Sequence, residues 1–235
     1  MSRFVERQTK AAGTRVPPTQ GSRRQAVLDA ALSEFSERGY EGASMRDIAA
    51  RAGLAPGHLA YYARSKEGLW RAVVEGFASG LLGALRPRRR PRAGAVVRAG
   101  AAATGKATDP DEARALLRPV LEHFAANPRL TRLMLHEFSV ASPRNDWVVK
   151  HMGRPVWSAL KPVFEGLHRS GRVRGPDPAM AYFTFVGGAI LLFGSQPEIR
   201  RIVGRGRSGR AGNAALVEHL LDNALGPPAK ARRRR

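Results

Sequence analysis

The sequence predicts an all-α fold, and three observations carry that expectation. Apolar residues return every three to four positions through most of the chain, giving each segment one apolar face. Helix starts are signalled repeatedly, by Ser44, by Ser65 and by the pairs Asp109-Pro110, Asn127-Pro128 and Asp177-Pro178. Each places a capping oxygen or a proline where a first turn has backbone N–H groups to spare. No segment shows the period-two alternation of a half-buried strand. With 43% hydrophobic residues in 235, the chain can fill the core of one large domain or two modest ones.

Taken in order, residues 1–21 have no apolar period and carry Gly13, Pro17 and Pro18, which predicts a disordered basic arm. A first helix follows over 22–38. Ala26, Val27, Ala30, Ala31 and Phe35 form its inner face, Arg23, Asp29, Glu34 and Glu37 its wet side, and Gly39 its left-handed stop. Ser44 caps a second helix, and Asp47, three residues on, stands in for the Glu or Gln of a capping box; Ile48 and Ala49 point inward and Gly53 ends it. The third helix must be short, because Pro56 fits only a first turn and Ser65 restarts the chain. Leu59 is its core residue. From Ser65 a longer helix carries Leu69, Trp70, Val73, Val74, Phe77, Leu81 and Leu82 to about Leu85. Two short helices joined by a tight glycine turn are suited to laying one of them in a DNA groove.

After the Arg/Pro stretch Arg86–Arg92, helices are predicted from Asp109 to Ala126 with a kink or break at Pro119, and from Asn127 through Phe138. Another spans Pro143 to Ser170 with bends at Pro155 and Pro162, an apolar one runs from Asp177-Pro178 to Phe193, and a last amphipathic one covers 213–225. About nine or ten helices are expected.

Composition excludes several classes. The absence of cysteine removes disulfides, thiolate metal sites and a cysteine nucleophile. The start, Met1-Ser-Arg-Phe-Val-Glu-Arg, has no apolar signal core, and the apolar run Ala179–Phe193 is shorter than the ~20 residues of a membrane helix, so no membrane partner is expected. Gly204-Arg-Gly-Arg-Ser-Gly209 matches the dinucleotide glycine pattern only formally, since no strand can follow it and arginines fill the loop. His136-Glu137 lacks the second histidine of a zinc helix, and no nucleophile elbow or phosphate loop occurs. No catalytic residue, metal or cofactor is assigned, and an enzyme is not expected. The net charge of +21 is unevenly spread: +3 in residues 1–21, +6 in 86–98, +5 in 199–212 and +5 in 226–235, against +1 in 22–85. The excess therefore lies in stretches read as solvated loops and tails, where non-specific attraction to phosphates and a plain compositional bias (34 of 40 basic residues are Arg) are both open readings.

The string Ala26-Val-Leu-Asp-Ala-Ala-Leu-Ser-Glu-Phe-Ser-Glu-Arg-Gly-Tyr40, then Ser44-Met-Arg-Asp-Ile-Ala-Ala-Arg-Ala-Gly53, Gly57-His-Leu59, Tyr61-Tyr62 and Ser65-Lys-Glu-Gly-Leu69, resembles the TetR-type bacterial transcriptional repressors over residues 22–70. The remainder, including Asn127–Glu137, is similar to the helical effector domain of that family. The resemblance implies an N-terminal three-helix helix-turn-helix DNA-binding domain over 22–70. It implies a C-terminal helical ligand-binding and dimerisation domain over 71–225, with a basic disordered tail at 226–235. The reading surface departs from the family pattern. Ala55 replaces a polar cap, Pro56 a basic residue, His58 a hydroxyl, Ala60 the first aromatic, Tyr62 a histidine and Ala63 a phenylalanine. The operator cannot be carried over from relatives.

Candidate DNA contacts are Ser44, Arg46, Pro56, Gly57, His58, Tyr61, Tyr62 and Lys66. Arg46 can grip guanine O6 and N7 together, with a surface salt bridge as the alternative. Gly57 lets backbone approach DNA, Ser44 and Lys66 suit phosphates or groove edges, and one of the two tyrosines is expected to be core because adjacent helical positions diverge by about 100°. Candidate ligand-pocket residues are His123, Phe124, Met134, His136, Phe138, Trp147, His151 and Trp157, each of which could equally be ordinary core. The helix with Gly187-Gly188 and the one at 213–225 suit a four-helix homodimer interface, as the resemblance implies, or a buried helix within one chain. The expected protein is a cytoplasmic, nucleoid-associated homodimer that binds a palindromic double-stranded DNA operator and leaves it when a small-molecule effector binds. A ligand-independent DNA-binding protein and a helical enzyme with an incidental helix-turn-helix are the rivals.

Overall fold

Eleven α-helices and one π-helical turn make up the regular structure of the computed structural model, which describes residues 20–86, 109–173, 176–204 and 209–225. They are α1 Gln20–Gly42, α2 Met45–Arg51, α3 Pro56–Tyr62, α4 Lys66–Ala84, α5 Pro110–Ala126, α6 Pro128–Phe138 and α7 Pro143–Val148. The π turn Val149–Gly153 follows, then α8 Arg154–Arg169, α9 Pro178–Gly194, α10 Gln196–Val203 and α11 Arg210–Leu225. The all-α expectation therefore holds. No single helix among the described residues is long and apolar enough to cross a membrane; α9 and α10 would reach that length only together, across a 76° bend.

Helices of seven residues such as α2 and α3 do not persist alone, since isolated helices below about 12 residues are marginal in water. Tertiary burial holds them: Ile48, Ala49 and Leu59 are almost fully enclosed where α1, α2 and α3 pack on one another. Burial of each large side chain is worth roughly 1.5–3 kcal/mol. α4 runs on from this head into the body, where it meets α5, α8 and the π turn. There α6 and α8 both pack on α9, and α11 closes over α5 and α9. α1 lies along α6, so the head rests on the body along most of a helix.

Several boundaries differ from the sequence expectation for physical reasons. α1 begins at Gln20, so the last two residues of the predicted arm are already helical; the rest of the arm, the Arg/Pro stretch after Arg86 and the tail at 226–235 lie outside the described residues. Gly39 has φ 69°, ψ 177° and does break α1 where predicted. Ser44 caps α2 by accepting from the Asp47 N–H at 3.0 Å, but the Asp47 carboxylate turns to Arg38 at 3.1 Å instead of completing the capping box. α5 passes through Pro119 without a break. The segment read as one bent helix from Pro143 is three elements: Pro155 lacks the N–H that would reach back to the His151 carbonyl, and the chain widens into the π turn just before it. α10 corrects the reading of 199–212 as a loop; Pro197 sits in its first turn and Ile199, Ile202 and Val203 supply a helical period. The glycine pair divides: a Cβ on Gly188 would meet Leu220 of α11 at 3.1 Å within the same chain, whereas Gly187 faces open space.

Candidate nucleic-acid interface

The turn between α2 and α3 follows from Gly53, whose φ of 68° suits glycine, with the Leu54 N–H donating to the Ala49 carbonyl at 2.9 Å. Ala55 makes no side-chain cap on α3, and Pro56 in the first turn removes one of the N–H groups that would need one. With Leu59 locked inward at 1% exposure, the opposite face of α3 is fixed: Pro56, Gly57, His58, Ala60 and Tyr61 are all exposed. Gly57 has an ordinary φ, and a Cβ added there would meet nothing within 4 Å, so the fold itself does not require glycine at this position. The tyrosines separate as expected. Tyr61 is 73% exposed and its hydroxyl accepts from Gln20 at 2.7 Å; Tyr62 is half-buried against the core, edge-on to Tyr61 at 5.2 Å.

The near-neutral charge of this head hides a segregation. Arg51 pairs with Glu34 and Glu37, Arg38 with Glu34 and Asp47, and Arg71 with Glu67. Exposed Arg46, by contrast, pairs with no carboxylate among the described residues, which removes its salt-bridge alternative. The Lys66 ammonium lies 4.5 Å above the Tyr40 ring and donates to the Glu41 carbonyl at 3.2 Å, contacts that brace the head. Ser44 is likewise occupied as a cap. Arg23, Arg24 and Arg64, which no motif marks as DNA contacts, are also exposed and pair with no carboxylate among the described residues. Only the pairing of their neighbours singles them out.

Residues 27–73 match the family model described as bacterial regulatory proteins, tetR family. That stretch, α1 through the start of α4, is a DNA-binding domain of the TetR type. Among curated relatives, BetI of Cronobacter sakazakii is 32% identical over 119 residues, covering 48% of this chain and 59% of BetI. KstR2 of Rhodococcus jostii, named a transcriptional repressor, is 37% identical over 67 residues, 28% of this chain and 33% of its own. RutR of Escherichia coli is 42% identical over 53 residues, 23% of this chain and 25% of its own. The chain thus spans from a quarter to about three fifths of these relatives' lengths. Two solved structures share the fold over far more: HlyIIR, a hemolysin II transcriptional regulator (TM-score 0.59, 18% identity, 89% of this chain and 100% of that one), and the TetR family regulator PfmR from Thermus thermophilus (TM-score 0.57, 20% identity, 88% and 99%).

The head meets the body through an aromatic and ionic cluster. The indole N–H of Trp70 on α4 donates to Glu137 of α6 at 3.1 Å, in a buried contact between residues 67 apart. Arg144 of α7 lies with its guanidinium 3.9 Å from the Tyr40 ring centroid, its Nη1 3.1 Å from Glu41 and its Nε 3.4 Å from Glu137. Burial raises the Glu137 carboxyl above its usual range, while Arg144 and the indole pull it partly back. Trp147 stands edge-on to Trp70 at 5.7 Å and stacks on His151 at 4.3 Å. A second link joins Arg129 to Ser33 at 2.7 Å.

The eight pocket candidates are dispersed. Trp147 and His151 belong to this junction. The His123 ring packs tilted against Phe77 at 4.7 Å and its Nε2 meets the Phe77 carbonyl at 3.1 Å, while burial lowers its pKa. Phe124 is buried edge-on to Phe77, and Met134 is fully enclosed. His136 and Phe138 are exposed. Trp157 packs on Tyr182 of α9 at 4.9 Å. Only the pair on α5 and the pair around the π turn are brought together. No group of three His, Cys, Asp or Glu among the described residues is arranged to hold a metal ion.

Proposed function

We propose that this chain is a TetR-family transcriptional regulator of the repressor type, working as a homodimer on a palindromic double-stranded operator. The observation that carries the reading is the exposed face of α3 with unpaired Arg46 beside it. α3 lies in the major groove, Gly57 lets its backbone come close, and Arg46 and His58 read base edges through the acceptors of guanine. The relatives BetI, KstR2 and RutR, named as a transcriptional repressor or transcriptional regulators, favour the same role. The dimer is built on α9, whose Met180, Phe183 and Leu191 are 49%, 64% and 54% exposed and, with Gly187 between them, form one apolar stripe beside α11. An effector taken up by the body shifts the DNA equilibrium only by preferring one head position, and α4 with the Trp70–Glu137–Arg144 junction is the material link between them.

Selection of bound sequences from a random duplex pool, followed by footprinting, tests the reading. The expected result is a palindrome whose half-sites lie about 34–36 Å apart or a multiple of it. Recovery of no preferred sequence rejects an operator-binding role. A single unrepeated half-site, together with a monomer in sedimentation, rejects the dimer.

A further inference from the structure

The cations left open in the head fall into two places, and the second has a shape of its own. Arg46 stands on the first turn of α2. Arg24 of α1 and Arg64, just beyond α3, line one cleft whose floor is Val27, Leu28, Leu69 and Ala72, with Tyr62 between. A second cleft continues from Arg24 and Tyr62 along Gln20, Gly21 and Tyr61, which brings it to the exposed face of α3. Neither cleft is lined by an Asp or Glu. A guanidinium paired with its own carboxylate gains little from a phosphate, because it must give up one partner for the other; that applies to Arg38, Arg51 and Arg71, and Arg24 and Arg64 are free of it. Base edges need hydrogen-bonding groups in register, which an aliphatic floor does not offer. A sugar-phosphate strand needs positive charge at the rim and tolerates apolar surface beneath its sugars.

We infer that Arg24 and Arg64 form a clamp for the DNA backbone, holding phosphates of the strand that passes the C-terminal end of α3 and supplying affinity without sequence preference. This rests on α3 being the DNA-reading helix.

The test uses the full-length protein with a short random duplex and with the selected operator, titrated between about 50 and 200 mM salt. Each of Arg24→Ala and Arg64→Ala is expected to lower the slope of log K against log salt by about 0.9, and the double variant by about twice that, equally on both duplexes. The double Lys variant keeps the slope, because a phosphate needs only the charge; it also keeps the test valid if the alanine pair melts early. An unchanged slope in the double Ala variant overturns the clamp, as does a loss confined to the operator. Loss of inorganic phosphate binding with an unchanged DNA slope overturns it too, making the cleft a site for a free anion. If the wild-type protein selects no operator, the regulator reading fails, while the slopes on random duplex still decide the clamp.

Discussion

Replacing Arg144 by Ala isolates the electrostatics of the junction between head and body. The substitution leaves Glu137, 5% exposed, with the Trp70 indole as its side-chain donor and no Lys or Arg paired with it among the described residues. Such a carboxylate can always escape by taking up a proton, and this bounds the cost. From an ordinary value of 4.5, protonation at pH 7 costs about 3.4 kcal/mol at about 1.36 kcal/mol per pH unit. Loss of the guanidinium from the Tyr40 ring adds about 0.5–1 kcal/mol, and the Glu41 bridge adds almost nothing because that carboxylate is 82% exposed. The expected destabilisation is therefore about 2–4 kcal/mol at pH 7. The sign of the pH dependence follows from the raised pKa of Glu137. The folded state holds this proton more tightly than the unfolded chain, so the group's contribution is fully present below the ordinary glutamate range and is lost as pH rises through the raised value. At pH 5 the cost of Arg144→Ala should fall to about 1–2 kcal/mol. In a Glu137→Gln background, where the amide oxygen still accepts from Trp70, it should be about 1 kcal/mol at either pH. Denaturant unfolding followed by tryptophan fluorescence measures all four values. Equal losses at pH 5 and pH 7 with Glu137 in place, or a loss at pH 7 as large in the Gln background as with Glu137, would refute the argument.

Gly57→Ala should raise the melting temperature slightly, since alanine favours a helix by up to about 1 kcal/mol, yet weaken operator binding tenfold or more; unchanged affinity would take this face of α3 away from DNA. Arg46→Ala and His58→Ala should each relax sequence preference, with about 1–3 kcal/mol of discrimination lost for Arg46, read by repeating the selection with the variants. Lys66→Ala should lower stability by about 0.5–1 kcal/mol through the Tyr40 contact while leaving the salt slope of DNA binding intact; a slope reduced by about 0.9 would place Lys66 in the phosphate-binding set. Phe183→Asp should convert the proposed dimer to monomer in sedimentation at micromolar concentration, and a dimer that persists would move the interface off α9.

What could be read in the sequence was local. Gly39, Ser44, Gly53 and Ser65 act within a turn of themselves, and the inward position of Leu59 follows from period alone. What could not be read depends on partners far along the chain. Lys66 has the composition of a phosphate contact, and nothing local shows that Tyr40, 26 positions earlier, is folded beneath it. Asp47 has the spacing of a capping box until Arg38 competes for its carboxylate. Arg24 and Arg64 carry no motif, and their openness is a property of which other arginines found acids. The Trp70–Glu137 bond joins two helical periods that each look complete alone. α10 escaped because its arginines and flanking glycines outweighed an eight-residue period.

The passage of α4 from head to body bears on how such a protein can be rebuilt. Leu69, Trp70, Val73, Val74, Phe77, Ala78 and Leu81 are all buried in one continuous core that runs along this rod. A chimera spliced near residue 70 would give the foreign head a native rod but no Tyr40 for Arg144 to lie on and no matched seat for Trp70. Carrying the graft to the end of α4 would instead mismatch the Phe77 and Gly80 contacts with His123. Exchanging the specificity of this protein is thus a matter of substituting outward-facing residues of α2 and α3 in place, because no position along α4 offers a clean seam.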